Sequence, residues 1–473
     1  MTTPDVLAAR YASPEVVELW SPRTKVVLER RLWVAVLRAQ RELGVDVPDG
    51  VIEAYEAVVD EVDLASIEAR ERVTRHDVKA RIEEFCALAG HEHVHKGMTS
   101  RDLTENVEQL QIRRSLEIVR DRMVAAAVRL GRLAADHATL VMVGRTHNIP
   151  AQATTLGKRW ATAAEELLVA LARVEHLLAR YPLRGITGPV GTAQDQLDLL
   201  GGDPARLAAL QEAFARHLGF DTALASTAQV YPRSLDFDVV SALVQAAAAP
   251  SSLATTIRLM SGHELVTEGF AAAQVGSSAM PHKMNARTCE RITGLAAVLS
   301  GHLAMVTAIS GHQWNEGDVS DSVVRRVALP GAIFAADGLY QSLLTVLDEL
   351  APFAAVIERE LGRELPFLAT SKILIAAVRA GVGREQAHAL IKEHAVAAAL
   401  ARREEGDVAV DLVDRLAADD RLHLTRDDLD AALADPLAFA SAAAGQIAAV
   451  LARIQAVAMR YPRAAAYRPA PIL

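Results

Sequence analysis

The sequence predicts an all-α protein organised around a bundle of long helices. Alanine, leucine, arginine and glutamate dominate, and aromatic residues make up only 4% of the chain, which favours helices over sheets. Apolar residues recur every three or four positions from Leu156 until Pro182. A helix of about 25 residues is ~38 Å long, more than a small domain needs. Segments with the alternating pattern of a β-strand are nearly absent.

The N-terminal part has clear signals for a helix start and a helix end. Ser21 places a capping hydroxyl before Pro22, a residue suited to the first helical position. Apolar residues then follow at helical spacing until Gly44, which is typical of a helix end. We therefore predict a helix between Ser21 and Gly44.

The middle of the chain holds the longest apolar helical segments. We predict long helices at 107–135, 156–181, 236–260, 288–310 and 331–350. Five such helices joined by polar, glycine-bearing loops indicate a helical bundle, and shorter helices follow Pro352. The expected domains are an N-terminal helical domain (1–98), a central long-helix bundle (99–350) and a small C-terminal helical domain (351–473).

Composition argues against several classes of protein. The net charge of −9 disfavours a nucleic-acid-binding surface, and two cysteines at this length suit a reducing cytoplasm rather than a disulfide framework. The first residues lack the pattern of a signal peptide. The longest weakly apolar stretch, 295–310, is interrupted by Gly301 and His302 and is expected to be too short to span a bilayer. We expect a cytoplasmic protein without membrane or nucleic-acid partners.

The segment from Gly276 to Asn285 carries the strongest chemical signal. Its residues fit G-S-x-x-M-x-x-K-x-N, which brings a hydroxyl, an ammonium, an amide and several backbone N–H groups together. Such groups can stabilise the carbanion formed when a proton is removed beside a carboxylate. The alternative is an ordinary surface loop rich in glycine, serine and proline. The pattern resembles the signature loop of the fumarase/aspartase superfamily of lyases.

Other loops carry clusters of polar residues. Histidine has an unperturbed pKa near ~6.5, so His147, which follows Arg145 and Thr146, suits proton donation to a leaving nitrogen. A lone histidine is nevertheless more often structural. A second cluster is the triplet from Arg75 to Asp77, and a third is the pair Thr99-Ser100.

Two further patterns suggest ligand sites, but neither is supported. His91, His93 and His95 would share one face of an extended segment, yet no cysteine or H-E-x-x-H pattern accompanies them. The glycine-rich segment 185–192 lacks the Lys-Ser/Thr ending of a phosphate-binding P-loop. We therefore expect neither a metal nor a cofactor.

Taken in order, these loops resemble the adenylosuccinate lyase family over nearly the whole chain. The matching segments are Arg10-Tyr11, Arg75-His76-Asp77-Val78, His95-x-Gly97-x-Thr99-Ser100, Arg145-Thr146-His147, Gln152-x-x-Thr155-x-Gly157-Lys158, Gln229 with Arg233, the signature loop with Glu290-Arg291, and Trp314-x-Glu316 with Ser322-x-x-x-Arg326.

The resemblance implies a role for each matching position. His147 would protonate the departing nitrogen, and Ser277 would remove the succinyl Cβ proton, with Ser278 as the rival base. Lys283 and Asn285 would hold the carboxylate that receives charge, and Glu290 would hydrogen-bond His147. The implied substrate-binding residues are Arg10, Tyr11, Arg75, His76, Asp77, Thr99, Ser100, Thr146, Gln229, Ser278, Arg291, Ser322 and Arg326.

The resemblance also implies a three-domain fumarase/aspartase-like fold, a homotetramer with a twenty-helix core, and active sites shared between subunits. The implied activity releases fumarate from adenylosuccinate and from succinyl-aminoimidazole-carboxamide ribotide, without a cofactor. Three positions depart from the family pattern: Gly317 replaces an arginine, Ala286 replaces a proline, and Glu105-Asn106 replaces aspartate-threonine.

Three alternatives to this function are weighed. One is another lyase of the superfamily, such as argininosuccinate lyase, fumarase or a cycloisomerase. The others are a non-catalytic structural protein on the same scaffold and a nucleic-acid-binding helical protein. The intact His147, Ser277, Lys283 and Glu290 disfavour the structural protein. The absence of a basic stripe interleaved with aromatic residues disfavours nucleic-acid binding.

Overall fold

The computed structural model describes residues 5–269, 280, 282–406, 411–440 and 442–470, most of which are helical. The α-helices before the bundle are α1 (Val6–Arg10), α2 (Pro14–Leu19), α3 (Pro22–Glu42), α4 (Val51–Ala57), α5 (Leu64–Thr74) and α6 (Asp77–Ala89). The next group is α7 (Ser100–Asp136), α8 (Leu156–Arg180), α9 (Gln194–Leu199), α10 (Pro204–His217), α11 (Ser234–Ala246), α12 (Ala248–Gly262), α13 (Arg287–Ile309) and α14 (Ser322–Glu349). The last group is α15 (Ala354–Leu368), α16 (Thr370–Arg379), α17 (Arg384–Glu405), α18 (Leu412–Ala417), α19 (Arg426–Leu433), α20 (Ala443–Arg460) and α21 (Pro462–Ala465), with short 3₁₀ helices at Asp420–Leu422 and Pro436–Ala440.

Helix α3 confirms the predicted start and end signals. The Ser21 hydroxyl accepts a hydrogen bond from the Thr24 N–H at 3.1 Å, and Pro22 occupies the first helical position. The helix ends at Glu42, and Gly44 then adopts a φ of +79°. Local sequence chemistry therefore determines both ends of this helix.

The predicted bundle is confirmed, and its helices are α7, α8, α11, α12, α13 and α14, which pack against one another. Helix α7 is 37 residues long and starts at Ser100, earlier than predicted. The early start follows from a capping box, in which the Thr99 side chain and Asp102 satisfy each other's backbone N–H groups. Helix α14 also starts earlier than predicted, at Ser322, and continues through Pro330.

The prediction of one helix over 236–260 is wrong, because the structure has two helices that meet at Ala247. Pro250 lacks the N–H group that would donate to the Ala246 carbonyl in a continuous helix. The Tyr340 hydroxyl donates to that carbonyl instead, at 2.6 Å. A donor from a distant helix thus stabilises the break.

The expectation that strands are nearly absent overlooked one hairpin. Strands β1 (Val141–Thr146) and β2 (Ile149–Thr155) pair antiparallel, with an irregularity between Gly144 and Arg145. The two-residue turn between them is His147-Asn148, where both residues have a positive φ (53° and 61°), as in a type I′ turn. A second, minimal pair joins β3 (Val266–Thr267) to β4 (Ala351–Pro352).

The hairpin is held by packing that the local sequence does not reveal. Val143 lies in a small apolar cluster with Leu361, Leu365 and Leu368, and the last three belong to α15. Arg145 of β1 forms an ion pair with Glu360 of the same helix at 2.5 Å. Strand β1, and with it the hairpin, is therefore held against α15.

One large core joins the N-terminal helices to the bundle. Trp33 and Phe85 belong to the same buried apolar cluster as the bundle residues, and so does Ile454 of α20. The C-terminal helices build a second core over 369–429, around residues such as Ile373 and Leu412. The predicted domain boundaries near residues 98 and 350 stay a prediction. Helix α20, which lies in the predicted C-terminal domain, packs on α7 and α8 of the central bundle.

Three segments of the described chain are long and apolar enough to cross a membrane by length and composition: Ser234–Gly262, Arg287–Ile309 and Ser322–Glu349. The expectation that the stretch around 295–310 is too short is therefore wrong, because all of it except Ser310 belongs to the 23-residue helix α13. The most apolar part of α14 is 89% buried, whereas that of α13 is only 28% buried. Within one chain, α13 thus leaves an apolar face uncovered.

Candidate active site

The described part of the signature loop lies beside the start of α13. Ser277 and Ser278 are outside the described residues, so their predicted roles stay predictions. The Lys283 N–H donates to the Met280 carbonyl at 3.0 Å, which forms a turn before the helix. Lys283, Asn285 and Glu290 line one cavity of about 960 Å³. The structure thus brings together the predicted catalytic residues that it describes on this side of the site.

A buried carboxylate binds the backbone at the start of α13, directly after the signature loop. Glu268 is 5% exposed and accepts hydrogen bonds from the N–H groups of Thr288 and Cys289, both at 2.8 Å. It therefore caps a helix that has no capping side chain at Ala286. Burial, together with the nearby Glu268, raises the pKa of the Cys289 thiol well above its ordinary value. The sequence analysis missed Glu268, which carries no local signal of this role.

Glu290 stands in the first turn of α13 and faces a basic partner across the cavity. Its Oε1 lies 3.7 Å from an Arg258 guanidinium nitrogen, and both side chains are partly exposed. The predicted hydrogen bond from Glu290 to His147 is not formed within the described part of one chain. That contact therefore stays a prediction.

His147 occupies the exposed tip of the β1–β2 hairpin. Within the described residues its side chain has no hydrogen-bond or ion-pair partner. Thr146 and Asn148 on either side of it line a second cavity, of about 730 Å³, which lies against α12. Lys158 lines the same cavity. A rigid, two-residue turn thus presents the imidazole outward rather than into its own chain.

The predicted substrate-binding residues of three other segments lie where α7 begins. Thr99 and Ser100 start α7, Ser322 starts α14, and Arg326 is exposed one turn later. The Gln229 N–H donates to the Glu316 carbonyl at 2.8 Å, which joins that loop to the Trp314–Ser322 segment. The structure therefore brings these segments together.

The triplet from Arg75 to Asp77 joins α5 to α6 and lies near the same end of the bundle. Arg75 ends α5 with a φ of 53°, and the His76 Nδ1 caps α6 by accepting the Lys79 N–H at 3.2 Å. Burial lowers the pKa of His95 to about 4, against the opposing effect of Asp102, and His76 adds to the lowering. His76 therefore lies near His95, which precedes the Thr99 cap of α7 by four residues.

Arg10, Tyr11 and Arg291 form a further group. Arg10 ends α1, and the Arg291 guanidinium lies 5.6 Å from the centre of the Tyr11 ring. Gly338 allows Tyr11 to pack closely against α14, because a Cβ at that position would lie 2.7 Å from the Tyr11 Cβ. A larger residue at 338 would push Tyr11 out of this arrangement.

The predicted residues around Thr99 and the catalytic candidate His147 cannot line the same pocket within one chain. Thr99 precedes α7, and the hairpin with His147 follows it, so the two are separated by a helix of 37 residues. A helix of that length is ~55 Å long. A pocket for a nucleotide-sized molecule is far smaller than this separation.

Gly317, which replaces an arginine of the family pattern, lies in a backbone conformation that favours glycine. Gly317 has a φ of +110°, and a Cβ there would lie 2.9 Å from a Val230 methyl group. An arginine at this position would need another path for the loop. The arginine is thus absent where this backbone leaves no room for a side chain.

Residues of the histidine run 91–95 and of the glycine-rich segment 185–192 bind other groups of the protein. His93 Nδ1 lies 2.7 Å from the Lys96 ammonium, and Trp33 donates to His95 Nδ1 at 3.1 Å. The N–H groups of Thr187 and Gly188 donate to the buried Asp102 at 3.0 and 3.1 Å, so they are not open to a phosphate. Within the described ranges, no group of three histidine, cysteine or acidic residues is placed to hold a metal.

A cluster of buried charges beneath the start of α7 was also missed. Glu105 is fully buried and is paired with Arg233 and Arg325, which are buried as well. The predicted helix started at residue 107, so Glu105 lay outside it and carried no local signal of burial, although charges are rarely buried without partners.

Comparisons with known proteins identify the family to which the chain belongs. A family model described as lyase matches residues 12–301, and one described as adenylosuccinate lyase C-terminus matches residues 366–450. The chain is 36% identical to an adenylosuccinate lyase of Saccharomyces cerevisiae over 453 residues, which covers 94% of this chain and 93% of that protein. An adenylosuccinate lyase of Schistosoma mansoni is 35% identical, with 83% of each chain covered.

Solved structures show the same fold at low identity. A 3-carboxy-cis,cis-muconate lactonizing enzyme from Pseudomonas putida superposes with a TM-score of 0.82 at 22% identity, covering 96% of this chain and all of that one. A fumarate lyase from Mesorhizobium gives a TM-score of 0.78 at 20% identity, with 96% of this chain and 100% of that one covered. These likenesses establish the all-α lyase fold, while the sequence relatives establish the family. The chain therefore belongs to the adenylosuccinate lyase family.

Proposed function

We propose that this lyase splits adenylosuccinate into AMP and fumarate and acts in the same way on succinyl-aminoimidazole-carboxamide ribotide. The observation that carries the proposal is the family membership over nearly the whole chain, together with Lys283, Asn285 and Glu290 around one cavity. The reaction needs only proton transfer and charge stabilisation, which these side chains can provide.

The proposed elimination uses one base and one acid. A serine of the signature loop, Ser277 with Ser278 as its rival, removes a proton from the succinyl Cβ. The electron pair left on that carbon forms the new C=C bond as the C–N bond breaks, and the nitrogen takes the bonding pair. His147 then supplies the proton to that nitrogen. Lys283 and Asn285 stabilise the negative charge that builds up on the adjacent carboxylate.

The complete site is proposed to form in a homotetramer. His147 points outward from its own chain, and it is separated from Thr99 by the length of α7, ~55 Å. A neighbouring chain that runs in the opposite direction would bring the two ends together. The uncovered apolar face of α13 supports such packing, and so do the exposed Val323 and Val327 of α14.

The cellular setting of this proposal is the cytoplasm, without a cofactor, a membrane or a nucleic acid as partner. The negative net charge of −9 and the free state of Cys86 and Cys289 support it. In this proposal the exposed apolar face of α13 is buried between copies of the chain, whereas the most apolar part of α14 is already buried within its own chain.

The first expected result is steady release of fumarate from adenylosuccinate by the purified protein, in EDTA and without added cofactor. AMP should appear in an equal amount, because each broken C–N bond yields one molecule of each product. Fumarate is followed by its absorbance and AMP by chromatography. An assembled protein that leaves adenylosuccinate intact but cleaves argininosuccinate would overturn the substrate assignment.

A second expected result concerns the sharing of the site. We expect two inactive variants, His147→Asn and Arg326→Ala, to recover activity when they are mixed, unfolded and refolded together. In a mixed tetramer, some sites combine an intact His147 from one chain with an intact Arg326 from another. The measurement is fumarate release after native mass spectrometry has verified mixed assemblies.

The matched control treats each variant alone in the same way, and neither should recover activity. Mixed assemblies that stay as inactive as both parents would contradict a site shared between chains.

A further inference from the structure

Glu105 is the centre of a buried ion cluster that the proposed mechanism does not use. The Glu105 cluster consists of Arg101, Glu105, Tyr231, Arg233 and Arg325. Arg233 donates to both carboxylate oxygens of Glu105, at 2.6 and 3.0 Å. Arg101 donates at 3.0 Å, the Tyr231 N–H at 3.3 Å and Arg325 at 3.4 Å.

The partners of Glu105 lie within four residues of predicted substrate-binding residues in the sequence. Arg233 follows Gln229 in one loop, and its Nε pairs with Asp321, the residue before Ser322. Arg325 directly precedes Arg326. Glu105 itself lies one turn beyond Ser100 in α7. A single carboxylate thus connects three segments that are distant in sequence.

The cluster is held in one arrangement by charge and burial. Glu105 and Arg233 are fully buried, and Arg325 is 2% exposed. Burial by itself would raise the pKa of Glu105, but Arg325 and Arg233 lower it to about 2. The carboxylate is therefore ionised at neutral pH. Because burying a charge without a partner is strongly unfavourable, other arrangements of these side chains are disfavoured.

Arg325 is held from its other side as well. Its Nε donates to the buried Asp236 at 2.8 Å, and a guanidinium nitrogen lies 2.8 Å from Glu108. The same guanidinium donates to the Tyr231 hydroxyl, which in turn donates to Asp236 at 2.7 Å. The start of α14 is thus fixed against both α7 and α11.

We propose that Glu105 is a positioning residue for substrate binding, which sets Gln229, Ser322 and Arg326 at fixed distances from Thr99 and Ser100. The inference rests on the proposed function, since those five residues are among its predicted substrate-binding groups. Binding groups that are misplaced by about 1 Å can lose ~10²-fold in rate, so a rigid support has functional value.

The test replaces Glu105 with glutamine, which keeps the size and one accepting oxygen but removes the charge. We expect KM for adenylosuccinate to rise ~10-fold or more, with a smaller change in kcat, because misplaced groups bind substrate less well. The affinity for AMP, measured by calorimetry, should fall by a similar factor. That binding measurement is independent of turnover.

The matched control is Glu84→Gln. Glu84 is also buried and pairs with the buried Arg30 at 2.5 Å, but this pair joins α6 to α3. Its replacement should lower thermal stability while leaving KM and the AMP affinity near those of the unmodified protein. Equal changes in both variants would show that Glu105 supports only the fold.

An unchanged KM and AMP affinity in a folded Glu105→Gln protein would overturn the proposal. If this variant does not fold, Arg233→Lys replaces it, since lysine keeps the charge but cannot donate to both oxygens. Arg233→Lys should weaken AMP binding in the same way, and normal binding would overturn the proposal. An unmodified protein that does not cleave adenylosuccinate would instead refute the proposed function, before any variant is compared.

Discussion

Replacing His147 with asparagine is expected to lower kcat by at least ~10²-fold, the usual scale for loss of a general acid. The leaving nitrogen needs a proton as the C–N bond breaks, and asparagine cannot supply one. Asparagine is a suitable replacement because His147 has a φ of 53°, a conformation that asparagine tolerates better than alanine does. The type I′ turn should therefore persist, and the measured change should report chemistry.

The measurement is steady-state fumarate release by a variant whose assembly has been verified by light scattering. His423→Asn is the matched control, since His423 is also an exposed histidine with a φ of 53° but lies in the C-terminal helices. Its kcat should match that of the unmodified protein. A His147→Asn enzyme of near-normal kcat would remove His147 from the mechanism.

The parts of the fold that local sequence determines were predicted well. The spacing of apolar residues located the long helices, and Ser21 with Pro22 located the start of α3. The break at Ala247 was not predicted although Pro250 is a local signal for it, and the hydroxyl of Tyr340 that satisfies the Ala246 carbonyl comes from another helix. The hairpin was overlooked because distant residues hold it, through packing on α15 and the Arg145–Glu360 pair.

In the candidate site, too, some features follow from local sequence and others depend on contacts between distant residues. The order of short motifs named candidate residues, whose roles stay predictions, but it could not show at which end of the bundle each lies. That placement follows from the length of α7, which separates Thr99 from the hairpin. Glu268 and the Glu105 cluster were not found either, because buried carboxylates are recognised by their partners in space. The sequence thus proposed candidate residues but not the buried groups that support them.

The uncovered face of α13 leads to the second large expected effect. Gly294, Val298, Gly301 and Met305 recur at helical spacing on this face, and all four are exposed in one chain. A Cβ at Gly294 or Gly301 would have no atom of the same chain within 4 Å. Small residues in such a row allow another helix to approach closely. We infer that a second copy of the chain covers this face.

We therefore expect the double variant Val298→Glu with Met305→Glu to lose both assembly and activity. Two carboxylates on this face would have to be buried without partners in a tetramer, which costs several kcal/mol for each charge, on the order of 3–5. Sedimentation should show a smaller species, and fumarate release should fall to background. Leu64→Glu is the control, because Leu64 is 42% exposed at the start of α5, outside the bundle.

The loss of assembly and the loss of activity must occur together if the site is shared between chains. A chain released from the assembly keeps His147 and Thr99 at opposite ends of α7, ~55 Å apart. It should therefore bind or cleave substrate poorly even though its own helices remain folded, as circular dichroism would show. A smaller species that retains full activity would mean that one chain completes its own site, and the arrangement of catalytic groups between neighbouring chains would then be wrong.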